Sequence, residues 1–261
     1  DYGTLLELKG DVWLKTQVAG SIARLRAIWR GPDGRVFVAG SQGTLVVRDG
    51  TTWALQLTNE TQEPARDLYG LFGFESDDVY AVGDAGLILH YDGQKWSTMT
   101  IAGPHRLEAD LRGVAGIVGG DEVPFVAAAG LDSAVLTLRD ETWRDGILGV
   151  TANLHAISVR NDGSIVAVGA RGLVLTEVDG RIAAMESGVD NDLWGVAGDL
   201  AVGADGVVLD ISCSLPLRMQ TDVDVDLLDV WNGASSTWIV GESGVVLRLV
   251  GSVIQRLDSG I

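Results

Sequence analysis

The feature that most constrains this chain is a short motif that returns at a near-regular interval. Apolar residues run into a glycine, two residues pass, and a second glycine follows, as in Val38-Ala39-Gly40-Ser41-Gln42-Gly43 and Val82-Gly83-Asp84-Ala85-Gly86. The same pattern recurs over residues 168–172, 202–206 and 240–244, and a copy at 128–133 has lost its second glycine. The leading glycines are Gly40, Gly83, Gly130, Gly169, Gly203 and Gly241, spaced by 43, 47, 39, 34 and 38 residues. Self-similarity at a period of about 40 residues marks an array of one structural unit.

Each unit has further punctuation. Upstream of the glycine pair comes Leu-x-x-apolar, from Leu25 to Ile28, Leu68 to Leu71, Leu111 to Val114, Leu154 to Ile157, Leu193 to Val196 and Leu227 to Val230. Downstream comes an alternating run such as Leu87-Ile88-Leu89-His90-Tyr91, then a turn and often a Trp, as in Asp92-Gly93-Gln94-Lys95-Trp96. Four short segments per unit, A to D, rich in Val, Ile, Leu and aromatics and bounded by Gly and Asp, read as β-strands. The glycines between B and C fit a hairpin needing positive φ, and Asp-Gly between C and D is a strong hairpin signal. No long stretch keeps a helical period with caps, so helices are expected to be scarce. An up-and-down four-stranded unit repeated along a chain specifies a β-propeller blade, with a β-solenoid as the weaker alternative.

The units start near residues 24, 67, 110, 153, 192 and 226, which predicts six complete blades in one all-β propeller domain over residues 1–261. Residues 1–20 match only a C–D pair, with the glycine, turn and Trp13 in place. Because the stretch after the sixth unit supplies no matching A–B pair, we expect a seven-fold ring with a half blade. A six-fold ring carrying an extra hairpin is the alternative.

Composition narrows the function. The 35 glycines among 261 residues are nearly twice the usual ~7%, and the turns of the repeat absorb the excess. A net charge of −17 argues against nucleic-acid binding, which draws its affinity from Lys and Arg on phosphates. No apolar run approaches the ~20 residues of a membrane span. Cys213 is the only cysteine, so neither an internal disulfide nor a cysteine zinc cluster is expected.

Ile28-Trp29 together with the run from Asp78 to Trp96, DVYAVGDAGLILHYDGQKW, resembles the BNR or Asp-box class of repeats. The similarity is greatest to the branch typified by the photosystem II stability and assembly factor, and it covers essentially the whole chain. A sialidase-type Asp-box reads S/T-x-D-x-G-x-T-W; here Gly50-Thr51-Thr52-Trp53 keeps the second half, while Asp49 directly precedes the glycine. The resemblance implies a propeller that is secreted, periplasmic or on the cell surface and that serves as an assembly or interaction scaffold.

Aligning the units on their A segments exposes two columns. The residue before each leading Leu is Arg24, Asp67, Asp110, Asn153, Asp192 and Asp226. In a ring these acids surround one mouth of the central channel, where they either bond backbone N–H groups of a turn or attract a cation or basic peptide. The residue after each Leu is Arg26, Tyr69, Arg112, His155, Trp194 and Leu228. Side chains of this kind are enriched at binding hot spots, and they also pack well between blades. The next position is small in all units but the last, where it is Asp229. Trp29 and Trp231 fall at equivalent A positions and read as core.

No metal or cofactor is expected. Asp222, Asp224 and Asp226 alternate without the loop of a Ca²⁺ site, and His90, His105 and His155 are scattered. Asn59-Glu60-Thr61 fits a glycosylation sequon. The reading that follows is a non-enzymatic scaffold whose channel mouth or open blade edge docks a protein partner, which itself could complete the half blade. The alternative is a carbohydrate-binding or sialidase-like glycoside-acting protein, with Arg26 and Arg112 as its sugar-carboxylate ligands.

Overall fold

The structure, a computed structural model, describes residues 3–10, 12–18, 23–56, 65–102, 108–118, 124–139, 141–145, 152–178, 180–233 and 235–257. Among these there is no α-helix. A two-stranded sheet comes first, β1 (Thr4–Lys9) paired with β2 (Val12–Gln17). Six antiparallel blades follow, each in simple meander order from the ring axis outward. They are β3 (Leu25–Arg30), β4 (Val36–Gly40), β5 (Leu45–Asp49) and β6 (Thr52–Leu55); β7 (Leu68–Glu75), β8 (Asp78–Gly83), β9 (Ile88–Tyr91) and β10 (Trp96–Thr98). After the short β11 (Ile101–Ala102), the third blade holds β12 (Leu111–Val118), β13 (Pro124–Gly130), β14 (Val135–Arg139) and β15 (Thr142–Asp145). The fourth holds β16 (Leu154–Val159), β17 (Ile165–Gly169), β18 (Val174–Val178) and β19 (Arg181–Met185). The fifth holds β20 (Leu193–Ala197), β21 (Leu200–Gly203), β22 (Val208–Asp210) and β23 (Leu217–Met219), and the sixth β24 (Leu227–Asn232), β25 (Thr237–Gly241), β26 (Val246–Val250) and β27 (Val253–Leu257). On the outer edge of the third blade, β11 adds a parallel fifth strand against β15.

The core lies between blades. Phe37, Ala39 and Leu45 of the first blade pack with Leu68, Leu71, Leu89, Tyr91 and Trp96 of the second. Four further clusters repeat this arrangement round to the fifth and sixth blades. Trp96 and Trp143, near the start of the outer strands, are buried. Polar clasps hold the far rim: Arg160 bonds Asp199 of the next blade at 2.6 Å, and Asn232 Nδ2 donates to the Ala197 carbonyl at 3.0 Å.

The corner between the second and third strands is a single 3₁₀ turn, and here the turn chemistry differs from the expectation. The leading glycines are extended, with φ between −146° and −170°. They are glycine because a Cβ at Gly83, for example, would sit 2.2 Å from the Asp67 carbonyl oxygen. Positive φ falls instead on the second glycine, such as Gly86 at 69°, and on the non-glycine residue before it: Gln42, Ala85, Asp132, Arg171, Asp205 and Ser243.

The innermost strands lie side by side in the series β3, β7, β12, β16, β20, β24. No comparable approach joins β24 to β3 among the described residues, so the ring of six four-stranded blades is open there. The β1–β2 sheet lies on the side of the first blade away from the second, where Glu7 meets Arg48 at 3.1 Å. Burial follows this geometry. Val46 and Val38, on the third and second strands of the first blade, are buried on the flank facing the opening, while Ile28 on the innermost strand is 58% exposed. Its counterparts Leu71, Val114, Ile157, Val196 and Val230 are all 9% exposed or less. Trp231 is 63% exposed. This corrects its assignment to the core: the equivalent Trp29 packs on Phe37 and the second blade, whereas on the side of β24 away from β20 no inner strand lies beside it among the described residues.

Candidate functional site

The acidic column turns out to latch each blade to the one before it. Each residue of the column uses its backbone carbonyl inside its own blade, as Asp67 does in accepting the Asp84 N–H at 3.0 Å. In the five units after the first, its side chain crosses to the corner of the preceding blade and accepts the N–H of the residue with positive φ. Asp67 takes that of Gln42 at 2.9 Å, Asp110 that of Ala85 at 3.1 Å, and Asn153 that of Asp132 at 3.4 Å. Asp192 takes that of Arg171 at 2.7 Å and Asp226 that of Asp205 at 3.2 Å. A left-handed conformation costs a non-glycine residue about 1–2 kcal/mol, and a side-chain oxygen accepting the N–H that it aims outward, a carboxylate in four of the five latches, offsets this. Backbone bonding was one of the two sequence readings; its partner is the preceding blade's corner rather than the turn leading into the A strand.

The second column has a structural cause that the sequence pattern conceals. In all six blades the register between first and second strands slips immediately after the leading Leu. Arg26, Tyr69, Arg112, His155, Trp194 and Leu228 are therefore the bulged residues, and a bulge re-aims its side chain out of the alternation of the strand. Six bulges at one radius turn this column along the channel mouth.

Within the arc, Arg26 and Arg112 lie over the Tyr69 ring, 4.9 and 3.8 Å from its centroid. Each guanidinium is also tied to a carboxylate, Arg26 to Asp67 and Arg112 to Asp110, both at 2.9 Å. The Tyr69 hydroxyl donates to Asp84 at 2.8 Å, and burial together with that bond pushes its pKa up to about 12, so it stays protonated. Farther round, the His155 and Trp194 rings stack at 4.4 Å, and His155 Nδ1 lies 3.0 Å from the Leu193 carbonyl oxygen. Burial lowers the His155 pKa, which the Leu193 carbonyl and Asp192 partly oppose. The Trp194 indole N–H is buried without an acceptor. Leu228 ends the arc, exposed beside the opening.

The structure thus joins Arg26, Tyr69, Arg112, Asp67 and Asp110 into one charge-balanced stack and pairs His155 with Trp194. Asp192 and Asp226 serve the corners on their own. Asp229, Val240 and Trp231, none of them a site residue by the sequence reading, line the opening. Asp229 reaches solvent deep within the channel, where surrounding protein raises its carboxyl pKa while the Val230 N–H at 2.8 Å opposes the rise. Among the described residues, no three His, Cys, Asp or Glu side chains are grouped to hold a metal ion. No described helix is long and apolar enough to cross a membrane, and Cys213 is an exposed free thiol. Asn59 and His105 lie outside the described residues.

This architecture defines a β-propeller, and solved structures of that class share it. The chain superimposes on YCF48 bound to a D1 peptide with a TM-score of 0.69 at 16% identity, over 90% of this chain and 82% of that one. Streptogramin B lyase gives 0.70 at 11% identity, over 98% and 86%. The WD40 repeats of RRP9 give 0.71 at 13% identity, over 98% and 85%. No family profile matches the chain, and no curated protein matches it in sequence.

Proposed function

We infer that this protein is a non-enzymatic scaffold of the cell envelope or exterior that binds a protein partner at its channel mouth, on the side where the ring is open. The observation that carries this reading is the exposure of Ile28, Leu228, Trp231 and Val240 around one gap. Large apolar side chains gathered at one place on a surface mark an interaction site more often than scattered ones do. That a structural neighbour is a propeller bound to a peptide supports the same use of this fold. The glycoside-acting alternative needs Arg26 and Arg112 turned toward one sugar carboxylate, and both are already tied to carboxylates of the chain.

The test is site-specific photo-crosslinking. A benzophenone amino acid at position 228, in extracts of the source organism, is expected to yield a discrete polypeptide adduct. The same group at exposed Val178, away from the opening, is expected to yield none. Equal labelling at both sites, or no polypeptide adduct at 228, defeats the reading.

A further inference from the structure

We propose that the open position of the ring is a slot for a β-hairpin of a partner polypeptide whose first strand begins Asp-Leu or Asn-Leu and carries Lys or Arg two residues after that Leu. This rests on the scaffold reading above and specifies the chemistry of the partner.

The occupant is a pair of strands because only the inner half of the interval is uncovered. The β1–β2 sheet supplies two outer strands, and among the described residues β1 pairs only with β2, leaving its other edge free for an antiparallel neighbour. Gly3, leading into β1, has φ of 67° like the corner glycines Gly43 and Gly86, and its N–H donates to the Ala23 carbonyl at 3.0 Å. The same bond runs from Gly86 to Ala109 and from Gly206 to Val225. Thus β1 starts as the third strand of a blade does, and the position inside it is that of a second strand. An added strand on an exposed edge gains affinity from main-chain bonds and specificity from alternate side chains.

The interface to be continued is the one repeated round the ring. Five corners have their outward N–H accepted by the Asp or Asn that opens the next blade. The sixth corner has the equivalent residue, Ser243, in the same left-handed conformation with φ of 54°. An Asp or Asn ahead of the incoming Leu meets that N–H. The apolar walls, Ile28 on one side and Trp231 with Val240 on the other, take the apolar residues of the hairpin.

The cationic residue follows from Asp229. In the other units the matching residue is Ala or Gly, and the next innermost strand lies almost on it: a Cβ on Gly70 would be 3.2 Å from the Val114 nitrogen, and one on Gly195 3.0 Å from the Asp229 Cα. The residue faced is two or three positions past the next Leu. Asp229 puts a carboxylate where closure by a seventh identical unit requires a small residue. An incoming strand with Lys or Arg there meets a charge partner inside the channel, and one with Glu meets repulsion.

The experiment is a charge swap on the whole chain. The probe is a fluorescein-labelled peptide with the sequence of residues 192–203, Asp-Leu-Trp-Gly-Val-Ala-Gly-Asp-Leu-Ala-Val-Gly, synthesised with Gly195→Lys or with Gly195→Glu. Fluorescence anisotropy is expected to show one-to-one binding of the Lys peptide, with the Glu peptide at least about ten-fold weaker. Asp229→Lys is expected to reverse the order, a result that partial unfolding cannot produce. Trp231→Ala is expected to weaken both peptides. Equal affinity for the two peptides, no binding of either, or no reversal overturns the proposal. So does a concentration-dependent dimer that excludes the peptide, which gives the slot to a second copy. So, too, does protection of Trp231 from acrylamide in the natural chain without any peptide, which gives it to the chain itself. Should position 228 crosslink a polypeptide while neither peptide binds, the hairpin chemistry fails and the scaffold reading stands.

Discussion

The flank of the first blade that meets the second and the flank of the sixth blade that meets the opening are built on the same backbone positions. Ala27, Trp29, Phe37, Ala39 and Val47 line the first; Asp229, Trp231, Trp238, Val240 and Arg248 line the other. In the closed interface the residues are apolar, two of them are alanines that admit the neighbour, and Phe37 is buried edge-on against Tyr91 and Trp96. At the open flank those alanines are replaced by Asp and Val, and Arg248 stacks over Trp238, 5.4 Å from its ring centroid. One strand geometry therefore supports two kinds of surface. The difference lies in whether side chains are sized for the next blade or for another partner.

The largest effect should separate the two flanks outright. Phe37→Ala removes a fully buried ring and is expected to cost about 3–5 kcal/mol, while Trp231→Ala should leave the isolated protein within about 0.5 kcal/mol of wild type. Urea denaturation followed by far-UV circular dichroism reads both. Next come the corner latches. Asp67→Ala leaves the Gln42 N–H and Arg26 without their carboxylate and is expected to cost about 1.5–3 kcal/mol. Exposed Asp224, two residues before a latch of its own, should be replaceable by Ala within about 0.5 kcal/mol.

A smaller effect is expected at the rim between the first two blades. The buried Ser76 hydroxyl donates to Asp33 at 2.5 Å, and with the Arg35 N–H and guanidinium it holds the Asp33 pKa at about 2. Ser76→Ala should cost about 1 kcal/mol and move the Asp33 titration upward by NMR, with no counterpart at the open flank.

The smallest effect is a pH dependence from His155. Burial keeps its folded pKa below the ordinary 6.5. As pH falls through that value the unfolded chain takes up a proton before the folded ring does, so stability declines toward acid and is fully present above it. His155→Phe keeps a ring against Trp194 and should flatten this part of the profile; an unchanged slope assigns the acid sensitivity to other groups.

Much of the fold was legible because the repeat announces it. Apolar alternation, Asp-Gly turns and glycine pairs each answer to local backbone needs, and those needs recur six times. Positive φ belongs to the second glycine of each pair, such as Gly86, whereas the leading glycine answers to a carbonyl oxygen some 16 residues upstream in sequence, as with Asp67 and Gly83, which no local pattern shows. The site was half legible. Alignment of the units found Asp67, Asp110, Asp192 and Asp226, but not that their bonds reach the previous blade. It found Arg26, Tyr69, Arg112, His155 and Trp194, but not the bulge that turns them to the mouth, since a register slip leaves no composition signal. Trp231 reads as core in any alignment, because exposure there depends on which neighbour is missing. Asp229 was visible only as a break in a column of small residues.

The latches also give the ring a direction. Each corner waits for a side chain that follows it by 21 or 25 residues, from Gln42 and Asp67 round to Asp205 and Asp226. On a chain leaving the ribosome, each of the first five corners therefore gains its acceptor only once the first residues of the next blade have been made. Ser243 stands at the end of that relay. Of the six corner amides, its hydrogen is the one expected to exchange fastest with solvent deuterium, and the one whose exchange should slow when the slot is occupied.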